Sequence, residues 1–273
     1  MTVAQTPALR WTDWPIDPLV VTGLLAATVA WRWITLRFAA RRGQTFYGWG
    51  ALVVLALSLL SPLEAGAGRS FTLHMTQHVV LMMVVAPLLA LGTPAAFLGW
   101  LRRRPVVGPL IKVIWSPLPA FALYHAALFL WHLPSLYDAA LRREAVHLLQ
   151  HATFLGGSLA FWGVVVAPEP RIVGATMGHR LVMVLGANIL GWVLAFALTL
   201  AERPLYLTYA APEGLWGMSP LLDLRLGGAV MWVVGNILYG VVLLLLLVAL
   251  LNREQRQSAQ ENPESPGNLP AST

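Results

Sequence analysis

The chain has 273 residues, of which 58% are hydrophobic and 11% charged, and it contains 12 Trp, 23 Gly, 19 Pro and no Cys. A soluble domain carries about 25% charged residues and has no interior large enough for this apolar fraction, so the composition indicates a membrane-embedded chain. It excludes intrinsic disorder, a disulfide scaffold and a thiolate metal site. The formal charge of +6 does not indicate nucleic-acid binding, because the basic residues stand in short clusters between apolar runs.

Crossing about 30 Å of hydrocarbon takes roughly 20 helical residues. Seven runs qualify, near Leu19–Phe38, Tyr47–Leu63, Leu73–Leu91, Ser116–Leu133, Ala145–Val166, Leu181–Leu200 and Leu226–Leu251. The fourth is bracketed by Pro117, Pro119 and Pro134, and Pro87 and Pro94 are expected to kink the third or make it re-enter. The loops are short, which predicts one antiparallel all-α polytopic membrane bundle over residues 1–252, followed by a polar, disordered tail at 253–273. The N-terminal stretch lacks the pattern of a secretory signal.

Basic residues set the expected orientation. Alternate loops carry eleven Arg or Lys in one set, including Arg102, Arg103, Arg104 and Lys112, and six in the other. Eight of the 12 acidic residues fall in the second set: Asp13, Asp17, Glu64, Asp138, Glu144, Glu202, Glu213 and Asp223. The first set is therefore read as cytoplasmic, with the N-terminus outside and the C-terminus in the cytoplasm.

On this topology six of the seven histidines fall at the outer face, on three consecutive spans. His74 and His78 open the third span, His125 and His132 lie in the outer half of the fourth, and His147 and His151 open the fifth; His179 alone lies inside. His74–His78 and His147–His151 are HxxxH pairs, which place two imidazoles on one helix face about 6 Å apart in rise. His125 and His132 share a face two turns apart, about 10.5 Å in rise. Ionisable groups within a span are costly and mark function. Imidazole suits Cu, Zn, Fe and Ni, and the thioethers of Met75, Met82, Met83 and Met231 add a preference for Cu(I). Glu64, Asp138, Glu144, Glu202 and Asp223 are candidates to orient the rings. Small residues (Gly156, Gly157, Gly186, Gly191, Gly227, Gly228, Gly235) suit close helix packing or a docking surface.

The segments HMTQHVVLMMVVAPLLALGTPA (74–95), LFLWHLPSLYDAAL (128–141), VHLLQHATFLGGSLAFW (146–162) and LLDLRLGGAVMW (221–232) occur in the order found in the CtaG-type cytochrome c oxidase assembly factors, a bacterial seven-span family that the chain resembles from about Leu73 to Trp232. The family's histidine positions match His74, His78, His132, His147 and His151. Family members often carry Asp-Gln where this chain has Asp223-Leu224. The resemblance implies a non-enzymatic assembly factor in the bacterial plasma membrane. It would receive copper from an extracytoplasmic donor and help insert it into haem–copper oxidase subunits. Two alternatives remain open on the residues alone: a haem protein using opposed histidines, and a His-rich membrane metalloenzyme. A retinal protein is excluded, because the single lysine, Lys112, lies in a loop.

Overall fold

The structure, a computed structural model, describes residues 9–166, 174–210 and 214–261. Among these the fold is entirely helical. Six helical stretches are long and apolar enough to cross a membrane: α1 (Pro18–Arg37), α2 (Arg42–Leu60), the third span Phe71–Gly92, α10 (Glu144–Val165), α11 (Met177–Thr199) and α12 (Pro220–Glu261). Shorter helices join them: α3 (Pro62–Ala67), α6 (Ala95–Arg102), α7 (Val107–Ile114), α8 (Pro117–Trp131) and α9 (Pro134–Arg142). Large apolar side chains such as Leu25, Val29, Val182, Ile237 and Leu244 are exposed along the long helices, as a lipid-facing surface requires. The chain is a multi-pass membrane protein.

The fourth span differs from the single helix expected at Ser116–Leu133. The helix there, α8, has 15 residues, about 22 Å, and is too short to cross alone. It becomes a span only together with α7, to which it is bent by 78°. Pro117 and Pro119 cause the break. Both lie in the first turn of α8, where the missing N–H groups cost nothing, but neither permits a helix to continue through from α7.

The third span runs as one helical stretch through Pro87 to Gly92 and does not re-enter there. It runs as α4 (Phe71–Val80), a π-helical turn at Leu81–Val85, and α5 (Ala86–Gly92). Pro87 supplies no N–H and crowds the preceding turn, and the wider turn accommodates it. The Ala86 N–H reaches back five residues to the Leu81 carbonyl. The Met82 carbonyl thus released accepts instead from Trp162 Nε1 at 2.8 Å. Pro94 acts only after the span has ended, as the N-cap of α6.

The tail is described as far as Glu261, and there residues 253–261 continue α12 as helix. Arg253, Glu254, Gln255, Arg256, Gln257, Ala259 and Gln260 are good helix formers, with no Gly or Pro among them. Residues 262–273 lie outside the described residues, as do Arg171 and Glu213 of the charge count.

Packing is closest where glycines meet backbone. A Cβ on Gly92 of α5 would lie 2.8 Å from the Gly48 nitrogen of α2, and one on Gly157 of α10 would lie 3.2 Å from the Leu123 carbonyl of α8. On α12, Gly227 accommodates Phe71 of α4, and Gly228 faces Thr199 of α11, whose backbone nitrogen lies 2.8 Å from a Cβ built there. Gly156, Gly191 and Gly235 have open space instead. Gly228→Ala should therefore overpack the α11–α12 contact and lower stability by about 1–3 kcal/mol. Gly156→Ala should be neutral or slightly stabilising, since alanine favours helix by about 0.5–1 kcal/mol. Thermal unfolding of the detergent-solubilised protein distinguishes the two.

Candidate functional site: a buried histidine group

The site starts at the N-terminus of α4, whose first N–H groups have no partner inside the helix. Ser70 is the N-cap, and its hydroxyl accepts from the Leu73 N–H at 3.4 Å. The buried Asp223 carboxylate of α12 completes the cap. It accepts from the Ser70 hydroxyl (2.8 Å), the Phe71 N–H (2.7 Å) and the Thr72 N–H (3.0 Å). The Thr72 hydroxyl donates to the Asp223 carbonyl at 2.9 Å. A negative charge at a helix N-terminus is also favoured by the helix dipole. This lock places His74 and His78 at a fixed height against α10 and α12.

Four of the six predicted histidines converge. His74 and His78, one turn apart, bring their Nε2 atoms to 2.9 Å. Their rings face those of α10: His74 lies 5.4 Å from His147 and His78 lies 5.3 Å from His151, centroid to centroid. One ring nitrogen from each of His74, His147 and His151 falls within 4.8 Å of the others. His147 Nε2 and His151 Nε2 are buried without a hydrogen-bond partner, as is His78 Nδ1.

The tautomer of His74 follows from its neighbours. The Tyr209 hydroxyl donates its one proton to the Ala67 carbonyl, 2.5 Å away. It lies 2.9 Å from His74 Nδ1, so it must accept there, and Nδ1 carries the ring proton. His74 Nε2 then accepts from the His78 Nε2–H at 2.9 Å, and the bare lone pair of these two rings is at His78 Nδ1. Burial holds the Tyr209 hydroxyl above its ordinary range, which keeps that donor protonated. Tyr209 is held in turn by Asp138 of α9, whose carboxylate accepts from the Leu207 N–H (3.2 Å), the Thr208 N–H (3.1 Å) and the Thr208 hydroxyl (2.8 Å). Phe71, Tyr137 and Tyr206 pack beside these groups, with Phe71 stacked on Tyr206 at 5.0 Å and Tyr137 5.3 Å from the His74 ring.

His132 and His125 lie apart from the four. His132 caps the end of α8, with Nδ1 2.6 Å from the Leu128 carbonyl and Nε2 3.4 Å from Met75 Sδ. His125 bonds the Phe121 carbonyl through Nδ1 at 2.8 Å and packs among Phe121, Tyr124 and Phe161. Seven helical residues separate His125 from His132, and the intervening rise carries it away from the group. His179 forms a capping box with Thr176 and has a structural role.

The acidic residues expected to orient the rings act otherwise. Among the described hydrogen bonds no carboxylate reaches an imidazole. Asp223 caps α4, Asp138 pins the Tyr209 turn, and Glu64 accepts from Gln77 Nε2, which also donates to the Ser58 carbonyl at 2.8 Å. Burial holds the Glu64 carboxyl above the usual carboxylate range, against the bond from Gln77. Glu64, Glu144 and Asp17 line a cavity of about 190 Å³ that reaches His147 and His151. Leu224, where family members often have Gln, is 2% exposed within the apolar core, so that position serves packing. Sequence reasoning missed Tyr209, which bears no spacing relation to any histidine, and the place of Asp17 at this cavity.

A buried histidine group within a bundle of long apolar helices defines the class: a multi-pass membrane protein with a polar centre suited to a metal ion. The family model for the cytochrome c oxidase caa3 assembly factor matches residues 20–253, and the chain belongs to that family. It is also similar to an uncharacterized protein of Mycobacterium bovis and to one of Mycobacterium tuberculosis, each 23% identical over 278 residues. The matches cover 92% of this chain and 41% of those relatives, so the chain spans less than half the length of the curated relatives it matches. No solved structure matches it.

Asp223→Ala should expose the N–H groups of Phe71 and Thr72 in a buried setting and lower stability by about 1–3 kcal/mol. A loss of thermal stability in detergent, larger than for Glu202→Ala, checks this.

Proposed function

We propose that this protein assists assembly of a haem–copper oxidase by binding copper at His74, His78, His147 and His151 and passing it to an oxidase subunit within the membrane. The observation that carries the reading is the set of buried ring nitrogens with no hydrogen-bond partner at His78, His147 and His151, with one ring nitrogen each of His74, His147 and His151 within 4.8 Å of one another. Each such atom left unpaired costs about 1–3 kcal/mol, and a shared cation removes that cost at several rings together. Imidazole donors without thiolate or a coordinating carboxylate suit copper among the transition metals, and Cu(I) in the neighbourhood of thioethers. The carboxylates of Asp17, Glu64 and Glu144 at the adjacent cavity draw cations toward His147 and His151. A bare ion cannot enter hydrocarbon, so ligand exchange between sites one helical turn apart provides a route.

The haem alternative finds less support. It needs opposed imidazoles separated by a slot for a porphyrin, whereas these rings pack against one another with centroids 4.2–5.4 Å apart. In the proposed orientation the histidine end faces outward and the Arg102–Arg104 turn faces the cytoplasm, so an extracytoplasmic donor delivers the metal.

Purified protein in nanodiscs under reducing conditions should retain Cu(I) against a chelator, and the His147→Ala/His151→Ala variant should retain less. Equal copper in both would refute the site. Tyr209→Phe removes the acceptor that holds His74 in its tautomer and should weaken binding by about 10–100-fold without unfolding the protein. Because the chain has no Cys, single Arg142→Cys and Arg103→Cys variants report the orientation: an impermeant maleimide added to intact cells should label the first only. For the assembly role, a deletion strain with normal oxidase copper content would rule it out.

A further inference from the structure

We propose that the cavity next to the histidine group is a second metal site, for a soft monovalent ion such as Cu(I), with His132 Nε2 and the Met75 thioether as its principal ligands. This inference rests on the copper reading of the four-histidine group and extends it to a two-site path. The cavity measures about 50 Å³, and its lining includes Met75, His78, Met82, Met83, His132 and Met231. That space suits an ion and not an organic cofactor.

The donor chemistry carries the assignment. A carbonyl only accepts, so the 2.6 Å contact of His132 Nδ1 with the Leu128 carbonyl puts the ring proton on Nδ1. In the neutral ring Nε2 is then a bare lone pair, and it points at the Met75 sulfur 3.4 Å away, itself a lone-pair donor. No hydrogen lies between them, so two buried acceptors face each other with nothing to share. Metal–nitrogen and metal–sulfur bonds of about 2.0 and 2.3 Å at a near-tetrahedral angle place nitrogen and sulfur about 3.5 Å apart, close to the separation seen here. A cation between them satisfies both.

The rest of the lining narrows the ion. Among the described residues no acidic side chain borders the cavity. Hard divalent cations need oxygen ligands, whereas thioether and imidazole select Cu(I). Met82 and Met83 border the same space, and the Tyr124 hydroxyl, 2.7 Å from that of Tyr239, donates to Met83 Sδ at 3.6 Å. His78 belongs to both the histidine group and this lining. An ion can therefore move from one site to the other by exchanging ligands at His78, keeping its oxidation state and needing no co-reactant.

The test uses the full-length chain in nanodiscs loaded anaerobically with Cu(I), read by metal content and copper-edge X-ray absorption. The wild type should hold two Cu(I) per chain with a sulfur shell. Met75→Leu/Met82→Leu/Met231→Leu should lose one copper and the sulfur shell, while His147→Ala/His151→Ala should lose copper but keep the sulfur shell. Selenomethionine-labelled protein, which carries no substitution, should show copper within bonding distance of selenium. One copper without a sulfur shell, or a selenium edge with no copper neighbour, overturns the second site and leaves the histidine-group reading standing. A triple variant that keeps two coppers and its sulfur shell also overturns it. A wild type that binds no copper overturns both.

Discussion

The carboxylate of Asp223 on the first turn of α4 is the contact on which the site depends. A helix that starts inside a membrane protein has no water to satisfy its first N–H groups, and each unsatisfied group costs several kcal/mol in hydrocarbon. Asp223 and Ser70 satisfy them together and place a charge where the helix dipole favours it. The same bonds join α12 to α4 across 152 residues of sequence. His74 then stands one turn inside the cap, at a height set by that junction. Gly227 allows the approach, since a side chain there would meet Phe71.

From this anchor the polar centre is built outward in layers. Asp138 holds the turn at Leu207–Tyr209, Tyr209 sets the His74 tautomer, and His74 stands beside the rings of α10. The acidic side chains therefore act through backbone and hydroxyl groups, one step away from the imidazoles. Carboxylates bonded directly to the rings would strengthen them as bases and favour their charged form. The Tyr209 hydroxyl instead orients the His74 ring without adding a charge beside it.

Pro87 illustrates how a local defect becomes useful. The π turn that accommodates it keeps the third span continuous, and Trp162 takes up the released Met82 carbonyl. Two consecutive methionines of that turn, Met82 and Met83, border one cavity.

Much of the architecture was legible from composition and spacing. The apolar runs identified the long helices because helix length is set by hydrocarbon thickness, and the HxxxH pairs identified ring pairs on one face because the α-helical period is local. The broken fourth span was legible only in part: Pro117 and Pro119 marked its start, but the 78° bend to α7 depends on packing. What the tertiary structure alone decided is which histidines meet. His74, His78, His147 and His151 converge because α10 lies beside the third span, while His125, equally polar and on an equally apolar helix, turns to the Phe121 carbonyl. The pairing of Asp223 with α4, of Tyr209 with His74 and of His132 with Met75 joins residues 57 to 153 positions apart. No periodicity reaches that far, and such contacts exist only once the helices have packed.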